Sequence, residues 1–252
     1  MEERPLPVEP ERRRILMVLD EPSFTRLSYE KNGPALLYSD ELHVVRLPLK
    51  QRGPLFEKLG AKALLHTGSV LLQSPFDPDD YEKIESAEEH FARLKLYHFT
   101  HLCQLLGARR VTVEQLEISS EKGTDVVQLD GAAPGVLATG KLKMEETQRL
   151  RRQFSMSTQF AGSSADVNAA RSYLAQHRLS GDQIVASMVE LAASANRVTS
   201  QRVHLHLSDE TRRNIDAVTQ LALPTFLTAM EARWRSAREH KREFSLRLQV
   251  DF

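Results

Sequence analysis

The last ten residues, Glu243 to Phe252, alternate without a miss. Phe244, Leu246, Leu248, Val250 and Phe252 share one side, and Ser245, Arg247, Gln249 and Asp251 share the other. A period of two belongs to a strand with one buried and one wet face. Five large apolar side chains in register need a core to cover them, so this strand is expected inside the molecule. The rest of the sequence must supply its neighbours.

The same pattern recurs upstream. Ile15 to Leu19, Phe24 to Tyr29 and Leu42 to Leu47 read as short strands, with Asn32-Gly33 as a tight turn, which together predict a meander. Val70 to Gln73 adds another strand, and Val111 to Ser120 and Asp125 to Leu129 read as a pair. Lys141 to Ala161 is read as mostly one long strand, although Leu142, Glu146, Leu150 and Phe154 would also share a helical stripe. Val203, Leu205 and Leu207 alternate with His204 and His206 in a further strand.

Helices are signalled by their ends. Asp77-Pro78-Asp79-Asp80 offers a capping acid, a proline for the first position and acid in the first turn. Ile84, Ala87, Phe91, Leu94, His98, Leu102 and Leu105 follow at helical steps as far as Gly107, which predicts one long helix over about 78–106. Ser164 and Ser180 are expected to cap two short helices, the second with Gln183 completing a capping box. Ser208 is expected to open a last helix, whose stripe runs through Ile215, Val218, Phe226, Met230 and Trp234 and is interrupted at Pro224. The expected fold class is α+β with a largely antiparallel sheet. Residues 1–14 carry three prolines and no periodicity and are expected as a flexible arm; 15–252 is expected as a single domain, with 131–135 the place for any subdivision.

Function is less legible. The 34 basic residues balance the 34 acidic ones, which leaves no global field to favour nucleic acid or an anionic membrane. The lone cysteine, Cys103, excludes an internal disulfide and suits a reducing, cytoplasmic setting. No apolar run after the Arg12-Arg13-Arg14 triplet is expected to serve as the core of a signal peptide, and no run has the length of a membrane-spanning helix. Gly-x-Ser-x-Gly, a Walker loop and Gly-x-Gly-x-x-Gly are all missing from the sequence.

Four side-chain groups carry some chemical promise. His98 and His101 sit one helical turn apart, and His204 and His206 share one strand face, so the two pairs together could supply four nitrogens to zinc. Asp77, Asp79, Asp80, Glu82 and Glu85 could hold a hard cation, although a helix start also explains them. Glu114 and Glu117 lie three apart in a strand and are expected on opposite faces, which would prevent a carboxylate dyad. Arg233, Arg235, Arg238, Lys241 and Arg242 surround Trp234 and could meet an anionic surface.

No catalytic, cofactor-binding or metal-binding residue is assigned, and no cofactor is expected. The leading expectation is a non-enzymatic cytoplasmic protein acting through association, with itself as partner. One alternative is a membrane-active or pore-forming effector that inserts an amphipathic hairpin within 111–161 after rearrangement. The other is a hydrolase or metal-dependent enzyme built on His98, His101, His204 and His206.

Overall fold

The computed structural model describes residues 5–31, 33–50, 52–120, 123–129, 136–138, 143–219, 227–239 and 242–252. In chain order the elements begin with β1 (Ile15–Asp20), α1 (Glu21–Tyr29), α2 (Gly33–Leu37), β2 (Leu42–Leu47), α3 (Pro54–Ala61), β3 (Val70–Gln73) and β4 (Tyr81–Lys83). There follow α4 (Ala87–Leu105), β5 (Arg110–Ser120), β6 (Gly123–Gln128), β7 (Val136–Ala138), α5 (Met144–Phe154) and β8 (Ser157–Gln159). The remainder is α6 (Val167–Gln176), α7 (Gln183–Ala193), β9 (Ser200–His206), α8 (Asp209–Thr219), α9 (Thr228–Glu239) and β10 (Glu243–Asp251). The fold is α+β and rich in antiparallel pairing. No described helix is long and apolar enough to cross a membrane.

The chain forms two compact units, each made from two segments. The first joins Met1–His90 to Glu210–Lys241, and the second joins Phe91–Asp209 to Arg242–Phe252. The residues at 131–135 named for a possible subdivision lie outside the described ones.

The first unit holds a four-stranded sheet in the order β2-β1-β3-β4. β1 and β2 run parallel, so the expected meander is replaced by a helical crossover, the connection that parallel neighbours require. The run Phe24 to Tyr29, expected as a strand, therefore lies in helix α1. The Asp20 carboxylate caps it by accepting from the Ser23 N–H at 2.9 Å, Pro22 stands in its first turn, and Phe24 and Leu27 are buried three apart. Leu16, Val18, Val45, Leu55, Phe56, Leu59, Leu71 and Tyr81 pack into one cluster between the sheet and α3. From the second segment, Ile215, Met230 and Trp234 are buried, and the Asn214 amide donates to the Gln73 carbonyl at 3.3 Å.

The long helix starts at Ala87, not near residue 78. Asp77 turns the backbone back on itself, its carboxylate accepting from the Asp79 N–H at 2.8 Å, and the chain then enters β4 beside β3. A buried Tyr81, whose hydroxyl donates to the Arg13 carbonyl at 2.7 Å, fixes that strand. Within the amino-terminal segment Pro10–Arg13 forms a turn of 3-10 helix, and the buried Arg13 donates to Asp79 at 2.7 Å.

In the second unit a six-stranded sheet has the order β7-β6-β5-β10-β9. The terminal strand is central to it: β10 pairs antiparallel with β5 on one side and β9 on the other. Phe244, Leu246, Leu248 and Val250 are buried, as the alternation requires, whereas Phe252, expected with them, is half-buried. β6 and β8 share the far edge of β5, β6 along Gln115–Ser120 and β8 along Arg110–Thr112.

Lys141 to Ala161 is not a long strand. Residues 141–142 are outside the described set, Met144–Phe154 is helix α5, and only Ser157–Gln159 is extended. Thr147, Leu150 and Phe154 bury one stripe, while Glu145 and Glu146 open the helix and Arg151 and Arg152 close it, in the order the helix dipole favours. The caps of α6 and α7 are Asp166 and Asp182, not the serines two residues before them. Asp182 also pairs with the buried Lys95 ammonium at 2.7 Å. Ser208 precedes α8, and its hydroxyl accepts from the Phe244 N–H at 2.9 Å and so ties β10. Pro224 and the interruption expected there lie outside the described residues.

Candidate functional site

The histidine pairs have separate company. On α4 the His98 Nδ1 lies 2.7 Å from the Tyr173 hydroxyl, and its ring stands 4.4 Å from that of His177. His101 packs against the same tyrosine at 4.6 Å, and burial pushes the Tyr173 phenol above its ordinary value. The rings of His204 and His206 on β9 are tilted to one another with their centroids 4.7 Å apart. Among the described residues no three or more His, Cys, Asp or Glu side chains gather as a metal site. The acids near residue 80 are engaged as ion pairs: Asp79 with Arg13, Asp77 with Lys58 at 3.0 Å, and Asp80 with Lys62.

The expected basic surface is also engaged where it is described. Arg233 pairs with Glu85 at 3.2 Å and donates to the Gly68 carbonyl, Arg235 pairs with Glu231, and Arg242 pairs with Glu146. The side chain of Arg238 and all of Lys241 lie outside the described residues.

The β5 to β10 register slips by one residue, so Arg247 faces Gln115 while Leu248 faces Val113. Such a bulge inverts the alternation beyond it. Val111 and Val113 are buried before it, and Leu116 and Ile118 after it. Both glutamates therefore reach the polar face, against the expectation of opposite faces. Glu114 lies 3.8 Å from Arg202, while Glu117 lies 3.7 Å from His204 and 2.9 Å from Arg247. The result is a charge ladder across β5, β10 and β9, in which both glutamates face basic groups. A shared-proton dyad would need the opposite.

Among the described residues the edge of that ladder at β9 is open. The Leu207 N–H donates to the Phe244 carbonyl at 2.8 Å, and the Phe252 N–H donates to the Thr199 carbonyl at 2.9 Å. These bonds bracket the β9 to β10 pairing, and antiparallel ladders bond every second residue. Odd-numbered residues of β9 thus face β10, and the N–H and C=O groups of Ser200, Arg202, His204 and His206 point outward. Among the described residues β9 pairs with no other strand. Sequence reasoning placed the strand but not its position at the edge, which depends on β10 returning from elsewhere to lie beside it.

No family model, curated protein or solved structure matches the chain. The geometry alone carries the functional reading.

Proposed function

We propose that this chain is a non-enzymatic, cytoplasmic protein that works by association, a second copy extending its six-stranded sheet across β9. The outward backbone groups of Ser200, Arg202, His204 and His206 carry the reading. An unpaired strand edge is a template for another strand, and twofold pairing is the commonest way to close it. A copy running antiparallel about Val203 sets Arg202 against His204 and Ser200 against His206. That register matches about eight donors and acceptors, two per outward residue. It sets no two arginines and no two carboxylates face to face. The buried Cys103 thiol is compatible with a reducing compartment.

His204→Pro tests it. This proline removes an outward N–H and blocks the edge without taking a bond from the β9 to β10 ladder, as edge prolines do. Light scattering over a concentration series should find wild type dimeric and His204→Pro at least about tenfold weaker in association. Its melting temperature should stay near that of wild type. Val203→Pro, which breaks a ladder bond, should melt earlier. Strictly monomeric wild type, or undiminished association of His204→Pro, would refute the proposal.

A further inference from the structure

Where α4 ends, a pocket of about 380 Å3 opens between the start of β5, the loop at 161–165, α7 and the approach to β9. All of its walls belong to the second unit. That volume falls in the range of small-molecule sites, about 300–1,000 Å3. One part of the wall is apolar, from Leu106, Met188, Leu191 and Phe252. The rest of the lining is small or polar and includes Ser163, Thr199, Gln201 and two cations, Arg109 and Arg197, with no Asp or Glu side chain among them.

The neighbouring acids do not compensate these arginines. Asp251 accepts from Ser200 at 2.8 Å and from Gln249 at 3.0 Å, and these bonds hold its carboxyl below its ordinary value. Asp166 is occupied as the cap of α6, accepting from the Ala169 N–H. Neither Arg109 nor Arg197 forms an ion pair among the described residues, in contrast to Arg202 and Arg247 on the sheet face.

The backbone around the pocket is specified closely. Gly107 has φ +85°, and a Cβ there would fall 2.4 Å from the Ser163 carbonyl oxygen. Gly162 has φ +79°, and a Cβ there would sit 3.0 Å from Arg109 Cγ and 3.2 Å from its Nε. The Arg109 side chain therefore lies against the bare backbone of Gly162, and a Cβ there would press on it. This contact limits the conformations of a long, flexible cation before any ligand arrives, which lowers the entropic cost of binding. The Arg109 carbonyl accepts from the Phe160 N–H at 2.8 Å and its N–H donates to the Asp251 carbonyl at 2.7 Å, so the residue is anchored on both sides.

We infer that this pocket binds a small organic anion with an apolar body, its carboxylate or phosphate head held by Arg109 and Arg197 and its tail against Met188, Leu191 and Phe252. Guanidinium groups suit both heads because they donate in a planar fork.

The test is calorimetric titration of the full chain with octanoate, octyl phosphate and octanol. Either anion should bind and octanol should not, and the tighter anion identifies the head group. Arg109→Ala and Arg197→Ala should each weaken binding about tenfold, the effect of losing one charged hydrogen-bonding partner. The double variant should lose it, with melting curves confirming that the variants fold. Gly162→Ala should weaken binding by displacing Arg109 while leaving Arg197 in place. Octanol binding as tightly as octanoate would overturn the inference, as would an undiminished double variant or no binding of either anion to folded wild type.

Discussion

At the scale of single residues, neighbours on β10 have opposite fates. Leu248 is fully buried between β5 and β9, whereas Arg247 is more than half exposed and pairs with Glu117. Leu248→Asp would bury an unpaired carboxylate and is expected to cost about 4 kcal/mol or more, leaving largely insoluble protein. Arg247→Gln loses only a surface ion pair and is expected within about 1 kcal/mol of wild type. Chemical denaturation of the two variants checks this, and equal midpoints would mean that the faces are misassigned. The alternation of Phe244 to Phe252 made this distinction legible in the sequence. The placement of Glu114 was equally open to reading but easily passed over. Apolar residues switch from odd positions, Val111 and Val113, to even ones, Leu116 and Ile118, and that change of parity is the trace a bulge leaves.

At the scale of elements, the strands with strict alternation or unbroken apolar runs were readable, and the short mixed segments were not. Phe24 to Tyr29 is apolar enough for a strand, but the parallel partnership of β1 and β2 demands a helix between them, and such a partnership cannot be seen locally. The second half of 141–161 alternates, yet the stripe through Leu150 and Phe154 prevails because it gains both burial and a favourable charge order along the helix. Helix α4 was right at its end and wrong at its start, since Asp77-Pro78 opens a turn as readily as a helix. Its end is the better specified. Gly107→Ala forces a positive φ on alanine and drives a methyl towards Ser163, for an expected loss of about 1–3 kcal/mol from backbone strain alone. Gly60→Ala, in helix α3 with open space around it, should instead gain about 0.5–1 kcal/mol. Thermal melts of the pair provide the comparison; a Gly107→Ala variant as stable as wild type would exclude the strained helix stop.

At the scale of the whole molecule, each unit holds an acid whose neutral form is favoured by burial. Burial pushes the Tyr81 phenol well above its ordinary value of 10.0 in the first unit, and does the same to the Cys103 thiol in the second. Between the unfolded and folded values the native state retains protons that the unfolded chain releases, so stability must fall as pH rises. The decline is expected to begin near pH 8.5, where an unfolded thiol ionises, and to steepen beyond about pH 10 with the phenol. Denaturation midpoints measured from neutral to alkaline pH should show this, with a shallower slope in a Tyr81→Phe, Cys103→Ala double variant. A midpoint independent of pH up to 11 (roughly one unit above a free phenol) would contradict it. The two-unit division had no signature in composition, because Glu210–Lys241 leaves one unit for the other without a linker-like stretch. That excursion has a consequence for synthesis. β9 and β10 are neighbours in the sheet but are separated in the chain by a whole segment of the other unit. Until β10 has been made and returned, β5 and β9 stand as the two banks of a vacant slot. A nascent chain at that stage is vulnerable to capture by any extended peptide, and a chaperone shielding that slot would protect the sheet better than one acting on the finished edge.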